Sequence, residues 1–117
     1  MISYLEKFSL KGKTAFITGG VGLIGAEISK ALASAHAKTI IIDIDENSGM
    51  KLSEKLINMG YNAYFENIDI TDLNNIDRNI DQLFEKYNGI DIWINSAYPT
   101  TEDWGNKVED LCLDSWR

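Results

Sequence analysis

Hydrophobic and polar positions change period several times along the chain. Thr14-Ala-Phe-Ile-Thr18 is a short apolar run that reads as a buried strand. Glycines follow it, and then Ile24, Ile28, Ala31, Leu32 and Ala35 recur at the spacing of one helix face. Thr39-Ile-Ile-Ile-Asp43 is β-branched and apolar throughout, as suits a strand covered on both faces. Leu52, Leu56 and Met59 mark a second helix, with Gly60 as its C-terminal stop. Asn62 to Glu66 reads as a weaker third strand. Leu73, Ile76, Ile80, Leu83, Phe84 and Tyr87 give the clearest amphipathic pattern, a helix started by Thr71 or Asp72. Ile90 to Ile94 is the fourth strand. Helices between consecutive buried strands imply right-handed crossovers and an α/β, doubly wound parallel sheet of about four strands. Beyond Asn95 the pattern lapses into a polar loop, Thr100 to Lys107, before Asp114-Ser-Trp116 suggests the first turn of another helix.

The segment Thr18-Gly19-Gly20-Val21-Gly22-Leu23-Ile24-Gly25 lies between the first strand and the first helix. Such a turn aims the free amides and the positive dipole end of the helix at one point. Glycine there lets a phosphate approach the backbone and lets the helix pack close to the sheet. Asp43 ends the second strand 18 residues beyond Gly25, where a carboxylate can hydrogen-bond an adenosine ribose. Strand, glycine loop, helix and distant acid together point to a Rossmann-type dinucleotide site. A tight turn beside a solvated strand end is the bland alternative for the same residues. Asp43 would repel a 2′-phosphate, and neither Val21 nor Ile44 offers a cation to hold one, so NAD is favoured over NADP. Lys38 precedes the second strand and is expected at the other end of the sheet.

Composition narrows the reading further. The 117 residues are 44% apolar and 25% charged, which fits one globular domain. No apolar run approaches the roughly 20 residues that a membrane-spanning helix needs. Eighteen acids against eleven bases give a net charge of −7, and the lysines form no stripe, which argues against a nucleic-acid partner. Cys112 alone cannot make an internal disulfide and reads as a packing residue. His36, the only imidazole, cannot complete a Cys/His zinc site, and a Ser/His/Asp triad would have to use it at the end of a helix. The opening Met1-Ile-Ser-Tyr-Leu-Glu-Lys lacks the apolar core of a secretion signal, so a cytoplasmic address is expected.

Thr-Gly-Gly-Val-Gly-Leu-Ile-Gly, Ile-Asp-Ile-Asp, Asn67-Ile-Asp69-Ile-Thr-Asp72 and Gly89-Ile-Asp-Ile-Trp-Ile-Asn95-Ser-Ala97-Tyr, in that order, resemble the N-terminal, cofactor-binding half of a short-chain dehydrogenase/reductase. The resemblance implies that Asp69 hydrogen-bonds the adenine amino group, with Ile70 against the ring; the alternative is a turn residue before the helix cap. It also implies that Asn95 and Ala97, which match the family's Asn-Asn-Ala-Gly segment, support the sheet and lie along the cofactor ribose. The expected cofactor-binding set is therefore Gly19, Val21, Gly22, Leu23, Ile24, Gly25, Asp43, Ile44, Asp69, Ile70, Asn95, Ser96 and Ala97. The glycine spacing is closer to the family's extended, sugar-nucleotide branch, whereas Asn-Ser-Ala-Tyr resembles the smaller single-domain branch. Ser96 and Tyr98 replace an asparagine and a glycine of the family pattern, and His36 stands where a glycine commonly closes the first helix. Asn-Ser-Ala-Tyr-Pro with the Trp-Gly-Asn-Lys loop is similar to oxidoreductases of surface-carbohydrate or flagellin modification.

The family's hydride chemistry uses a tyrosine with a lysine four residues on, plus a serine and an asparagine. None of the five tyrosines qualifies: position +4 is Phe8, Phe65, Ile68, Asp91 or Glu102. No catalytic or metal-ligating residue is assigned. The expectation is a truncated NAD-binding portion of an oxidoreductase. A non-catalytic dinucleotide-binding or interaction module, and a fragment of a nucleotide-sugar epimerase or dehydratase, stand as alternatives. Without a neighbour for the fourth strand, Ile92, Trp93 and Ile94 would border an open edge, so self-association, or pairing with a missing C-terminal half, is expected.

Overall fold

The computed structural model describes residues 3–98 and 102–116. Pro99, and Thr100 and Thr101 of the expected polar loop, lie outside the described residues, as do Met1, Ile2 and Arg117. Four strands, β1 (Thr14–Thr18), β2 (Lys38–Asp43), β3 (Ala63–Asn67) and β4 (Ile92–Asn95), form one parallel sheet in the order β3-β2-β1-β4. Helices α1 (Leu23–Ser34), α2 (Glu46–Asn58) and α3 (Ile76–Lys86) make the crossovers. This is the doubly wound α/β arrangement expected from the alternation of buried strands and helices.

The side-chain period of two along each strand sorts the core into two layers. Phe16, Ile40 and Ile42 meet Leu83 and Tyr87 of α3 on one face. On the other, Ala15 and Ile17 meet Leu32 of α1, and Ile41 meets Ala33 of α1 with Leu52 and Leu56 of α2. Phe16 stacks on Trp93 with ring centroids 5.6 Å apart and takes edge contacts from Phe84 and Tyr87. Phe16, Ile17, Ile40 and Ile41 are wholly buried, each worth about 1.5–3 kcal/mol of transfer free energy.

Local chemistry sets the element ends. After α1 the chain reverses at His36, whose φ of 72° is the left-handed conformation that glycine adopts without a Cβ penalty. The imidazole packs on Tyr61, 6.3 Å between centroids. Helix α2 is capped by Asp45, whose carboxylate accepts the Ser48 amide at 3.0 Å and the Ser48 hydroxyl at 2.7 Å. Those two bonds, the amide first, hold the Asp45 carboxyl below its usual range. Gly60, at φ 90°, ends the helix as its position in the pattern suggested.

The structure corrects several sequence expectations. Helix α3 begins at Ile76 rather than at Thr71 or Asp72, and Leu73 stands 80% exposed. Residues 69–75 turn instead of winding: Asp69 accepts the Thr71 amide and hydroxyl, and the Asp72 carbonyl accepts the amides of both Asn75 and Ile76. Strand β4 starts two residues late because the Asp91 carboxylate turns to accept the Thr14 amide at 2.8 Å. Strand β3 is displaced by one residue, ending at Asn67. Cys112 is exposed rather than packed, its Sγ 3.1 Å from the Ser115 hydroxyl, and a short 3-10 turn covers Leu113–Trp116.

Among the described residues β3 and β4 are the sheet edges. Ile92 and Ile94 lie on the α1 side of β4 and Trp93 on the α3 side, all half-buried.

Candidate functional site

The loops that follow β1, β2, β3 and β4 converge at the C-terminal edge of the sheet, where a cleft of about 400 Å³ opens. In open α/β sheets this edge is where ligands sit, outside the strand ends near a reversal of strand order. Here β1 is the reversal point, with β2 on one side and β4 on the other.

The glycine loop is shaped by contacts that exclude side chains. Gly19 takes a φ of 64°, and a Cβ there would lie 2.7 Å from the Ala97 backbone. A Cβ on Gly25 would fall 1.9 Å from the Gly19 carbonyl oxygen. The loop is pinned to its surroundings as well: the Gly20 amide donates to the Ile42 carbonyl at 3.2 Å, and the buried Ser29 hydroxyl donates to the Gly20 carbonyl at 3.0 Å. Helix α1 therefore starts hard against β1. Gly22, its N-cap, supplies no side-chain cap, and its first turn holds no acid. The amides of Leu23, Ile24 and Gly25 have no acceptor within the helix, so the positive end of α1 faces the cleft without an internal counter-charge.

Asp43 stands opposite. Its two carboxylate oxygens are fixed by backbone amides, Val21 at 3.2 Å and Asp45 at 3.0 Å. Each carboxylate oxygen retains accepting capacity beyond one such bond. On the far wall, Asp69 is held in a turn by the Thr71 hydroxyl at 2.6 Å and amide at 2.9 Å, which lower its carboxyl below the usual range. Along the third side, the Thr18 hydroxyl accepts the amides of Ser96 at 3.3 Å and Ala97 at 3.4 Å, tying the end of β4 to the end of β1.

Eleven residues of the expected set line this cleft: Gly19, Gly22, Leu23, Ile24, Gly25, Asp43, Ile44, Asp69, Ile70, Ser96 and Ala97. Two do not. Val21 points into the core against the Ile41 cluster, its amide bound to Asp43, and the Asn95 side chain accepts the Trp93 indole N–H at 2.7 Å. Ile42, Ile68, Thr71 and Tyr98 also line the cleft and were not in the set. Ile68 and Thr71 flank the Asp69-Ile70 pair, so a lining read as a continuous segment would have found them. Tyr98 stacks on Trp104 at 5.3 Å, and both rings are largely exposed.

The described lining is apolar apart from its glycines, hydroxyls and two carboxylates, and it contains no Lys or Arg. Lys38 sits at the start of β2 against the Tyr87 ring, at the opposite end of the sheet. The arrangement can therefore bind an anion through amides and helix dipole, a diol through Asp43, and a flat ring between Ile44 and Ile68-Ile70. Among the described residues no cluster of His, Cys, Asp and Glu could hold a metal ion. None of their helices is long and apolar enough to cross a membrane.

A family model described as short chain dehydrogenase matches residues 13–117. The post-translational flagellin modification protein A of Campylobacter coli is 36% identical over 97 residues, covering 82% of this chain and 38% of that protein. A gluconate 5-dehydrogenase from Burkholderia cenocepacia, solved with NADP and tartrate, superposes with a TM-score of 0.79 at 29% identity over 97% of this chain and 44% of that one. A 7α-hydroxysteroid dehydrogenase complexed with NADH and a 7-oxo bile acid gives a TM-score of 0.72 at 28% identity, covering 81% of this chain and 37% of its own. The chain spans about a third to two-fifths of the length of the curated relatives it matches.

Proposed function

Since the chain belongs to the short-chain dehydrogenase family, we propose that it is the NAD-binding portion of an oxidoreductase that moves hydride between a nicotinamide cofactor and an alcohol or carbonyl. The observation that carries the reading is the placement of Asp43. Its carboxylate faces the same cleft as the acid-free, uncapped start of α1. The fit is chemical. The amides of residues 23–25 suit a pyrophosphate, the missing Cβ of Gly25 lets helix and sheet close on it, and Asp43 suits a ribose diol.

The same carboxylate sets the cofactor preference. A 2′-phosphate carries about −1.5 to −2 charge. At 4 Å from a carboxylate, each unit of that charge is disfavoured by about 4 kcal/mol at an effective dielectric of 20. With no cation in the described lining to offset this, NAD is preferred over NADP. Relatives of known structure carry either cofactor, so the preference rests on Asp43.

A bound nicotinamide would supply the hydride donor or acceptor. The chain's own residues hold and orient it, and because no tyrosine is followed by lysine at +4, no proton-transfer group is assigned to them. A non-catalytic dinucleotide-binding module, using the same glycine loop and Asp43 without turnover, is the second reading. A cytosolic location accompanies both readings.

Fluorescence titration with NADH and NADPH tests the proposal. The chain should bind NADH more tightly, and Asp43→Ala should weaken NADH while narrowing the gap to NADPH. A chain that binds neither, or an Asp43→Ala variant with an unaltered gap, would show the reading to be wrong.

A further inference from the structure

We propose that Asn67 is a positioning residue that fixes the turn bearing Asp43 and thereby sharpens discrimination against a 2′-phosphate; the inference rests on the dinucleotide reading above. Asn67 is the last residue of β3 and lies in register with Asp43, the last residue of β2. The final rung of the ladder between them is the Ile68 amide donating to the Asp43 carbonyl at 3.3 Å. The Asn67 side chain extends the pairing one step past the sheet. Its Nδ2 donates to the Asp43 carbonyl at 3.1 Å and to the Ile44 carbonyl at 3.0 Å. Both partners are acceptors only, so the NH2 end of the amide must face them, and both of its hydrogens are used.

Packing does not hold this turn. Ile44 is 69% exposed, and Asp45 and Glu46 are exposed as well. Its position depends on hydrogen bonds from three directions: the Val21 amide of the glycine loop on one Asp43 oxygen, the Asp45 amide on the other, and Asn67 on two successive carbonyls. The first two fix the carboxylate relative to its own backbone and to the loop. Asn67 alone among these ties the turn to the neighbouring strand beyond the ladder. Both Asp43 and Ile44 line the cleft, so any withdrawal of the turn enlarges the site where the 2′ position of an adenosine would lie. A pinned turn keeps the carboxylate within reach of a hydroxyl and closes that space to a phosphate. A released turn does neither as well.

The test replaces Asn67 in the 117-residue chain with alanine and, separately, with leucine, which keeps the γ-branched shape while removing both donors. Dissociation constants for NADH and NADPH are measured by fluorescence titration, with far-UV circular dichroism and Tm recorded beside them. Asn67 is exposed at the end of an edge strand, so both variants should keep the wild-type fold. NADH binding should weaken about tenfold, the scale of one to two lost hydrogen bonds, and NADPH binding should weaken less or improve, so that the ratio of the two constants falls. A merely structural role would lower Tm and weaken both dinucleotides by one factor, and an unchanged ratio in both variants would overturn the inference. That outcome leaves the dinucleotide reading intact if the wild-type chain binds NADH. A wild-type chain that binds neither dinucleotide overturns both.

Discussion

Replacing Gly25 by alanine should damage the protein more than the gain of one methyl group suggests. The new Cβ would lie 1.9 Å from the Gly19 carbonyl oxygen, 2.8 Å from the Gly19 carbonyl carbon and 3.2 Å from the Gly20 Cα. A carbon and an oxygen rest no closer than about 3.3 Å, so the helix start and the loop must part by roughly 1.4 Å. All three neighbours are backbone, and no rotamer change can relieve them. Overpacking of this kind costs typically 1–3 kcal/mol. Taking the upper end and returning about 1 kcal/mol for the better helix propensity of alanine leaves a net loss of about 2 kcal/mol. At roughly 4 °C per kcal/mol for a chain of this size, Tm should fall by about 8 °C. Gly22→Ala is the control. It has an ordinary φ of −66°, and its nearest neighbour would be the Gly19 oxygen at 3.4 Å, so stability should change by less than about 1 kcal/mol. Its methyl group would instead intrude on the cleft, and NADH affinity should drop with little change in melting. Thermal unfolding followed by circular dichroism reads both. If Gly25→Ala melts within about 2 °C of the parent, or the two variants lose equal stability, the close approach of α1 to β1 is not what holds this loop.

Three further outcomes follow from contacts elsewhere. Asp45 has its carboxyl held low by Ser48, so the stability it confers is present above the unfolded value near 3.8 and is lost as pH falls through the lower folded value. Asp45→Ala should therefore lower Tm at neutral pH, with the difference closing as pH falls below the unfolded value. Tyr87 donates to Glu66 at 2.5 Å, and burial first, then that bond, raises its phenol above the ordinary 10.0. Its contribution is present below pH 10 and is lost as pH rises further, so Tyr87→Phe should cost about 1.5 kcal/mol in urea unfolding at pH 7 and less at pH 11. The edge strand β4, with Trp93 half-exposed, should drive self-association: sedimentation velocity is expected to show a mass that rises with concentration, and Ile94→Lys should reduce it. A monodisperse monomer at every concentration would count against that role for β4.

The first two strands and the helix between them were legible because their signals are local. Ile40-Ile-Ile42 can hardly be anything but a strand buried on both faces, and a glycine loop beside it leaves little freedom. The start of α3 was not legible, since Leu73 falls at helical spacing from Ile76 and Ile80. Only the hydrogen bonds of Asp69 and Asp72 show that residues 69–75 are spent on turns. The cleft divides in the same way. Glycines and Asp43 announce themselves by residue type and position, whereas Ile42 and Tyr98 become neighbours only through the strand order. Val21 and Asn95 fall outside the lining for a simpler reason. A motif gives positions along a chain, and whether a side chain turns inward depends on which neighbour, here Ile41 or Trp93, claims it.

Strand β1 lies between β2, which follows it closely in sequence, and β4, which arrives some 75 residues later, and the Thr18 hydroxyl fastens the two ends together. During synthesis the glycine loop and Asp43 leave the ribosome long before the wall formed by Ser96 and Ala97. A nascent chain thus carries half of this cleft until β4 docks. Any ligand that spans the completed cleft would act as a clasp from β2 across β1 to β4, favouring the assembled state by mass action.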